Sequence, residues 1–152
     1  MAAEPILIVL VEDDDGHATL VERNLKRAGL ANGIKRLKDG QEAIDFVLGK
    51  GAYSGLSTPH SMLILLDIKM PRVDGVEVLR QLKSNPQTAL VPVIMLTTTD
   101  DPREIDRCYE LGCSVYISKP VDYQAFVEAI NRLGLFLQVV RIPDTKHVHP
   151  RG

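Results

Sequence analysis

Short apolar runs alternate with amphipathic segments along the chain. The runs are rich in Ile, Val and Leu, and their lengths are those of buried β-strands. Between them, apolar residues recur every three or four positions, which predicts helices with one buried face. This alternation is typical of consecutive βαβ units, in which helices cover both faces of a parallel sheet. The predicted strands cover residues 6–11, 34–37, 62–66, 92–96 and 115–118.

The residues at the helix ends support this division of the chain into strands and helices. Gly29 is a typical stop for the first helix, whose apolar face carries Ala18, Val21 and Leu25. Asp101 is a typical N-cap for the fourth helix. The predicted buried stripes are Ile105, Cys108 and Tyr109 in the fourth helix, and Tyr123, Phe126, Ile130, Leu133 and Leu137 in the fifth.

Length and composition indicate one folded domain. The chain has 152 residues, of which 45% are hydrophobic and 25% charged. We expect a single domain over residues 1–152, with a core at about 5–136 and a carboxyl-terminal extension at about 137–152. A formal net charge of -2 argues against general affinity for nucleic acid or anionic lipid. Because no secretory signal or membrane-span pattern is visible, we expect a cytoplasmic protein that does not bind membranes.

The cysteines and the terminal histidines give weaker signals. Cys108 and Cys113 lack the second Cys pair or nearby His that would complete a metal-ligand spacing. We expect two buried thiols, and a disulfide is the alternative. His147 and His149 could bind a metal weakly, but a disordered tail is the favoured interpretation.

Charged and hydroxyl side chains follow four of the predicted strands. Glu12 and Asp13 follow the first strand, Asp67 the third, Thr97 the fourth and Lys119 the fifth. The carboxyl ends of parallel strands meet at one edge of a sheet, so these side chains should lie close together. Two carboxylates 4 Å apart repel by about 4 kcal/mol at an effective dielectric of about 20. A hard divalent cation held by oxygen ligands, such as Mg²⁺, would relieve this repulsion.

A carboxylate beside Mg²⁺ and a lysine can act as a nucleophile toward phosphorus and form an aspartyl phosphate. Asp67 is the predicted phosphoacceptor because it ends the central strand. Glu12 and Asp13 are then the predicted metal ligands, while Thr97 and Lys119 supply a hydroxyl and a positive charge to the phosphoryl oxygens.

These motifs resemble the receiver domain of two-component response regulators over residues 5–136. The resemblance implies a flavodoxin-like, doubly wound α/β fold with five parallel strands in the order 2-1-3-4-5. It also implies phosphotransfer from a histidine kinase to Asp67, in a signalling protein that is not an enzyme. Further implications are Mg²⁺ bound by Asp13, Asp67 and the backbone carbonyl of Lys69, with Glu12 acting through water, and a switch that uses Thr97 and Tyr116. The motifs that carry the resemblance are Glu12-Asp13, Asp67-Ile68-Lys69-Met70-Pro71, Asp74-Gly75, Thr97, Tyr116 and Lys119-Pro120.

A second resemblance concerns the partners. The loop around residues 51–53 and the segment 136–143 are similar to those of small regulators that pair with bacterial phytochromes. This implies a phytochrome-type histidine kinase as the phosphoryl donor. The output is then protein association, or relay of the phosphoryl group to a histidine phosphotransfer protein.

Three alternatives remain open at this stage. An FMN-binding protein on the same fold would need a phosphate-cradling first loop, which the acidic residues 12–14 do not provide. A hydrolase of the haloacid-dehalogenase type resembles a D-x-D pattern, but Lys69 stands in place of its second Asp. A pseudo-receiver that only scaffolds other proteins is the third alternative.

The end of the fifth helix predicts a homodimer. If the helix continues, Leu135, Phe136 and Val139 fall outside its core-facing stripe and form an apolar surface. The alternative is a break at Gly134, after which the segment folds back over its own domain as an extended strand.

Overall fold

The computed structural model describes residues 6–55 and 61–142 and contains one parallel sheet within these ranges. Its spatial order is β2-β1-β3-β4-β5, which confirms the predicted α/β fold and strand order. The central strands β1 and β3 are paired from Leu7 with Met62 to Val11 with Leu66. The strands are β1 (Leu7–Val11), β2 (Ile34–Leu37), β3 (Met62–Leu66), β4 (Val93–Thr97) and β5 (Val115–Ser118).

Five α-helices connect and follow the strands in the described ranges, and each begins after an aspartate. The carboxylate of that aspartate accepts a hydrogen bond from a backbone N–H of the first turn, which supplies a partner that the helix itself lacks. A short 3-10 turn, Gly51–Tyr53, follows the second helix. The helices are α1 (Asp15–Arg27), α2 (Gly40–Leu48), α3 (Gly75–Ser84), α4 (Pro102–Leu111) and α5 (Tyr123–Leu137).

The sheet separates two apolar cores. Side chains of a strand point alternately to opposite faces, so Val9 and Val11 pack with α2 and α3, while Ile8 and Leu10 pack with α1 and α5. Burial on both faces explains why the central strands are continuous apolar runs.

Two tyrosines of the predicted buried stripes are exposed instead. Tyr109 in α4 is 47% exposed, because it lies over the edge strand β5, where its hydroxyl accepts a hydrogen bond from the backbone N–H of Tyr116 at 3.0 Å. Tyr123 is also exposed, at the first residue of α5. The helical period therefore identified the correct face but overestimated how far the core reaches.

Helix α5 continues through Gly134 to Leu137, so the predicted alternative of a break at Gly134 is wrong. Gly134 is buried where α5 crosses α1, and a Cβ there would lie 2.7 Å from the Cβ of Ala28. The glycine therefore permits close packing of two helices. Leu135, Phe136 and Val139 are exposed, as predicted.

The remaining structural expectations concern the cysteines, the tail and membrane spans. Cys108 and Cys113 are buried free thiols in this structure, as predicted. His147, His149 and the extension beyond residue 142 lie outside the described residues. Among the helices that the structure describes, none is long and apolar enough to span a membrane.

Candidate functional site

The carboxyl ends of β1 and β3 bring three carboxylates together. Oxygen atoms of Glu12, Asp13 and Asp67 all lie within 4.8 Å of one another. The cause is the strand register, because Val11 is paired with Leu66 and the residues that follow both strands emerge at the same level. The predicted cluster is therefore present at the predicted edge of the sheet.

Glu12 is the buried member of this cluster, with a side chain only 2% exposed. Its Oε1 accepts a hydrogen bond from Lys119 Nζ at 3.0 Å, whereas Oε2 has no partner among the described residues. Burial raises the pKa of Glu12 to about 8, and the neighbouring Asp67 acts in the same direction. Lys119 opposes this shift in pKa without cancelling it.

Asp67 lies beside the pair formed by Glu12 and Lys119. Its Oδ1 accepts a hydrogen bond from the backbone N–H of Ile68 at 2.7 Å, and its Oδ2 is 3.6 Å from Lys119 Nζ. The loop after Asp67 is packed tightly, because a Cβ on Gly75 would lie 1.9 Å from the Asp67 carbonyl oxygen. Only glycine fits where the backbones of residues 75 and 67 come this close. This close packing holds the start of α3 against the end of β3.

Thr97 and Tyr116 are linked through the backbone of Thr99. The Oγ1 of buried Thr97 accepts a 3.4 Å hydrogen bond from the Thr99 N–H, and the Tyr116 hydroxyl donates to the Thr99 carbonyl at 2.5 Å. The Tyr116 ring is partly buried against the core. Its movement on phosphorylation stays a prediction. Burial raises the pKa of Tyr116 to about 12, so the hydroxyl remains a donor at neutral pH.

Sequence reasoning missed two residues that contact Glu12. The guanidinium of Arg36, in β2, donates to the Glu12 carbonyl oxygen from Nε at 2.9 Å and Nη2 at 2.8 Å, and to Asp15 at 2.7 Å. His17 Nδ1 lies 3.1 Å from Glu12 Oε1. Arg36 follows Lys35 in a short strand and belongs to no motif that would assign it to the site, and the first turn of α1 indicated nothing specific for His17.

The donor set fits a hard divalent cation such as Mg²⁺, which prefers carboxylate oxygens. Three carboxylates converge, and one buried oxygen of Glu12 has no partner within the described part of the chain. Lys69 is exposed in the loop directly after Asp67, where its carbonyl could contribute a further oxygen. Together these groups could bind the metal and one phosphoryl group beside Lys119.

Comparison with known families identifies one match over most of the chain. The model for the response regulator receiver domain matches residues 8–131. Response regulator Rcp1 of Synechocystis is 33% identical over 140 residues, which cover 91% of this chain and 94% of Rcp1. Its Mn(2+)-bound crystal structure superposes with a TM-score of 0.84.

Two further solved structures have similar folds. A response regulator receiver domain from Rhodospirillum rubrum is 46% identical, has a TM-score of 0.85, and the match covers 91% of this chain and 98% of that one. The phosphorylated cyanobacterial phytochrome response regulator RcpA is 29% identical with a TM-score of 0.83, and the match covers 92% of this chain and 99% of RcpA.

Proposed function

The chain belongs to the response regulator receiver domain family and is related to phytochrome response regulators, and we propose that it accepts a phosphoryl group on Asp67. The observation that carries this proposal is the convergence of Asp67, Glu12 and Asp13 within 4.8 Å, beside the ammonium of Lys119. An FMN phosphate would be repelled by this acidic loop, which disfavours the FMN-binding alternative.

In the proposed reaction an Asp67 carboxylate oxygen forms a bond to phosphorus while the bond from phosphorus to the donor nitrogen breaks. The leaving histidine keeps its electron pair and takes up a proton. Lys119 pairs with a phosphoryl oxygen, and the Thr97 hydroxyl donates to another. These contacts stabilise negative charge that the acidic cluster would otherwise repel.

We propose Asp13, Asp67 and the Lys69 carbonyl as Mg²⁺ ligands, with Glu12 acting through water. When bound, the metal would neutralise the charge shared by the carboxylates and the phosphoryl oxygens. Support comes from the convergence of carboxylate oxygens and from the Mn(2+)-bound form of Rcp1.

The phosphoryl donor that we propose is a histidine kinase of the phytochrome type, and the output is protein association or relay to a histidine phosphotransfer protein. The support is similarity to RcpA, a cyanobacterial phytochrome response regulator. A cytoplasmic location also stays a prediction.

We further propose a homodimer in which Leu135, Phe136 and Val139 contact a second copy, because all three are exposed at the end of α5.

Incubation with acetyl phosphate and Mg²⁺, followed by intact mass spectrometry, tests the role of Asp67. Wild type should gain one phosphoryl group, whereas Asp67→Asn and wild type in excess chelator should gain none. Asp74→Asn is the matched control, because Asn retains the N-cap of α3 while removing a nearby charge outside the cluster. Phosphorylation of Asp67→Asn at the wild-type level would exclude the proposal, and a wild type that gains nothing would favour the pseudo-receiver alternative.

A further inference from the structure

His17 lies at the rim of the carboxylate cluster and has no part in the reaction proposed above. Its backbone N–H donates to the N-cap carboxylate of Asp14 at 3.0 Å. Its ring is 6.0 Å from the ring of Phe126, which is buried in α5. Although the side chain is 42% exposed, the first contact fixes its backbone and the second lies against its ring.

One oxygen of Glu12 faces two nitrogen groups. Glu12 Oε1 accepts from Lys119 Nζ at 3.0 Å and lies 3.1 Å from His17 Nδ1. A carboxylate oxygen can accept two hydrogen bonds, so the tautomer with a proton on Nδ1 donates to Glu12 beside the ammonium. The two nitrogens are 3.4 Å apart, so in the tautomer with its proton on Nε2 the Nδ1 atom would accept from Lys119 instead.

Lys119 cannot remain close to Glu12 while it pairs with a phosphoryl group on Asp67. Its Nζ is 3.0 Å from Glu12 and 3.6 Å from Asp67, so pairing with a phosphoryl oxygen on Asp67 draws the ammonium away from Glu12. The other oxygen of Glu12 has no partner in the ranges that the structure describes. Once Lys119 has moved, His17 Nδ1 at 3.1 Å is the side-chain nitrogen left beside Glu12, and a buried acidic group without a protein partner is disfavoured.

We propose that His17 is a positioning residue that keeps Glu12 hydrogen-bonded when Lys119 turns to the phosphoryl group. This inference rests on the proposed role of Asp67. His17 acts through Glu12 and contacts no reacting atom. It lowers the free-energy difference between the resting and phosphorylated arrangements of Lys119, and it therefore speeds phosphorylation without contributing to donor binding.

Three substitutions separate the Nδ1 hydrogen bond from the bulk of the ring. His17→Asn places an amide nitrogen at the same number of bonds from the backbone as Nδ1, so it should retain the contact with Glu12. His17→Gln places the amide one bond further out, and His17→Ala removes it. The maximal rate of phosphorylation by acetyl phosphate at saturating Mg²⁺ should fall about tenfold in the Ala and Gln variants and remain within about twofold of wild type in Asn.

The donor concentration at half-maximal rate should change little in any variant, and so should the unfolding midpoint. Isothermal titration with Mg²⁺ measures metal binding independently of the reaction. Equal rates in all four proteins would overturn the role of His17 and leave Asp67 as the phosphoacceptor. An Asn variant as slow as Ala would also overturn it, because packing against Phe126 would then be the sole contribution. A wild type without phosphorylation would remove both proposals.

Discussion

Lys119 donates a hydrogen bond to Glu12 at 3.0 Å, and both side chains are almost inaccessible to solvent. The two residues follow β5 and β1, which are separated in the sheet by β3 and β4. The lysine therefore reaches across the end of β3, where Asp67 lies. The contact holds a positive charge beside the carboxylates before any phosphoryl group arrives, and it partly offsets the rise in the pKa of Glu12 that burial causes.

Glu12 should make the metal-free protein less stable as pH rises. Its pKa is about 8 in the folded protein against an ordinary value of 4.5, so the folded state binds this proton more tightly than the unfolded state. The resulting stabilisation is fully present below about pH 4.5 and is lost as pH rises through about 8. Urea unfolding in chelator, compared with Glu12→Gln at each pH, should show wild type losing stability relative to the variant. A difference that is constant with pH would contradict the shifted pKa.

Gly75→Ala should destabilise the protein and displace the Asp67 loop. The added Cβ would lie 1.9 Å from the Asp67 carbonyl oxygen, so the backbone must move. Overpacking of this kind costs about 1–3 kcal/mol. Gly33→Ala is the control, because its nearest heavy-atom contact would be an ordinary 3.6 Å. Equal midpoints in urea for the two variants would show that the loop adapts freely.

Much of this arrangement was predictable because it follows from local signals. The strands are apolar runs, and the helices begin at capping aspartates. Asp67 and Lys119 could be placed together because parallel strands end at one edge. Arg36 and His17 could not be assigned, since their contacts with Glu12 depend on side-chain direction, and Arg36 is also distant from Glu12 in sequence. Tyr109 was misplaced for a related reason, because the helical period does not reveal where the sheet below it ends.

Arg36→Met should weaken Mg²⁺ binding about tenfold, because groups that orient metal ligands have effects of this order. The guanidinium holds the Glu12 carbonyl and the Asp15 carboxylate, which flank Asp13. Without it, the loop that carries Asp13 loses these contacts on both sides. Asp15→Asn is the control, since that exposed partner can be weakened while the Glu12 contact remains. Calorimetric titration should separate the variants, and an unchanged affinity in Arg36→Met would assign the arginine to folding alone.

Thr97→Val should uncouple phosphorylation from movement of Tyr116. The hydroxyl of Thr97 accepts from the N–H of Thr99, whose carbonyl accepts from Tyr116. When the Thr97 hydroxyl turns to donate to a phosphoryl oxygen, this chain of contacts rearranges. Val has the same shape but no hydroxyl, so Asp67 should still be phosphorylated, though more slowly than in wild type, while the NMR signals of the Tyr116 ring stay fixed. Equal shifts in wild type and variant would exclude this coupling.

The exposed apolar residues at the end of α5 should hold two copies together. Leu135, Phe136 and Val139 are 59%, 46% and 75% exposed, and such a cluster on a small domain is typical of an interface. The helix end is also fixed in place, because Gln138 Nε2 donates to the carbonyl of Ala28, the residue that caps the end of α1, at 2.7 Å.

Substitution is a better test of this interface than truncation. Removing the segment after Leu133 would take away Leu137, which is buried in the core, and would confuse stability with association. Phe136→Glu combined with Val139→Glu should instead give a folded monomer in sedimentation experiments, while wild type sediments as a dimer at tens of micromolar. Val121→Glu, at a fully exposed site before α5, should leave the dimer intact. Two charged groups on each copy cannot be buried against their counterparts without a large desolvation penalty, so a double variant that still dimerises would exclude this surface as the contact. A monomeric wild type would exclude it as well.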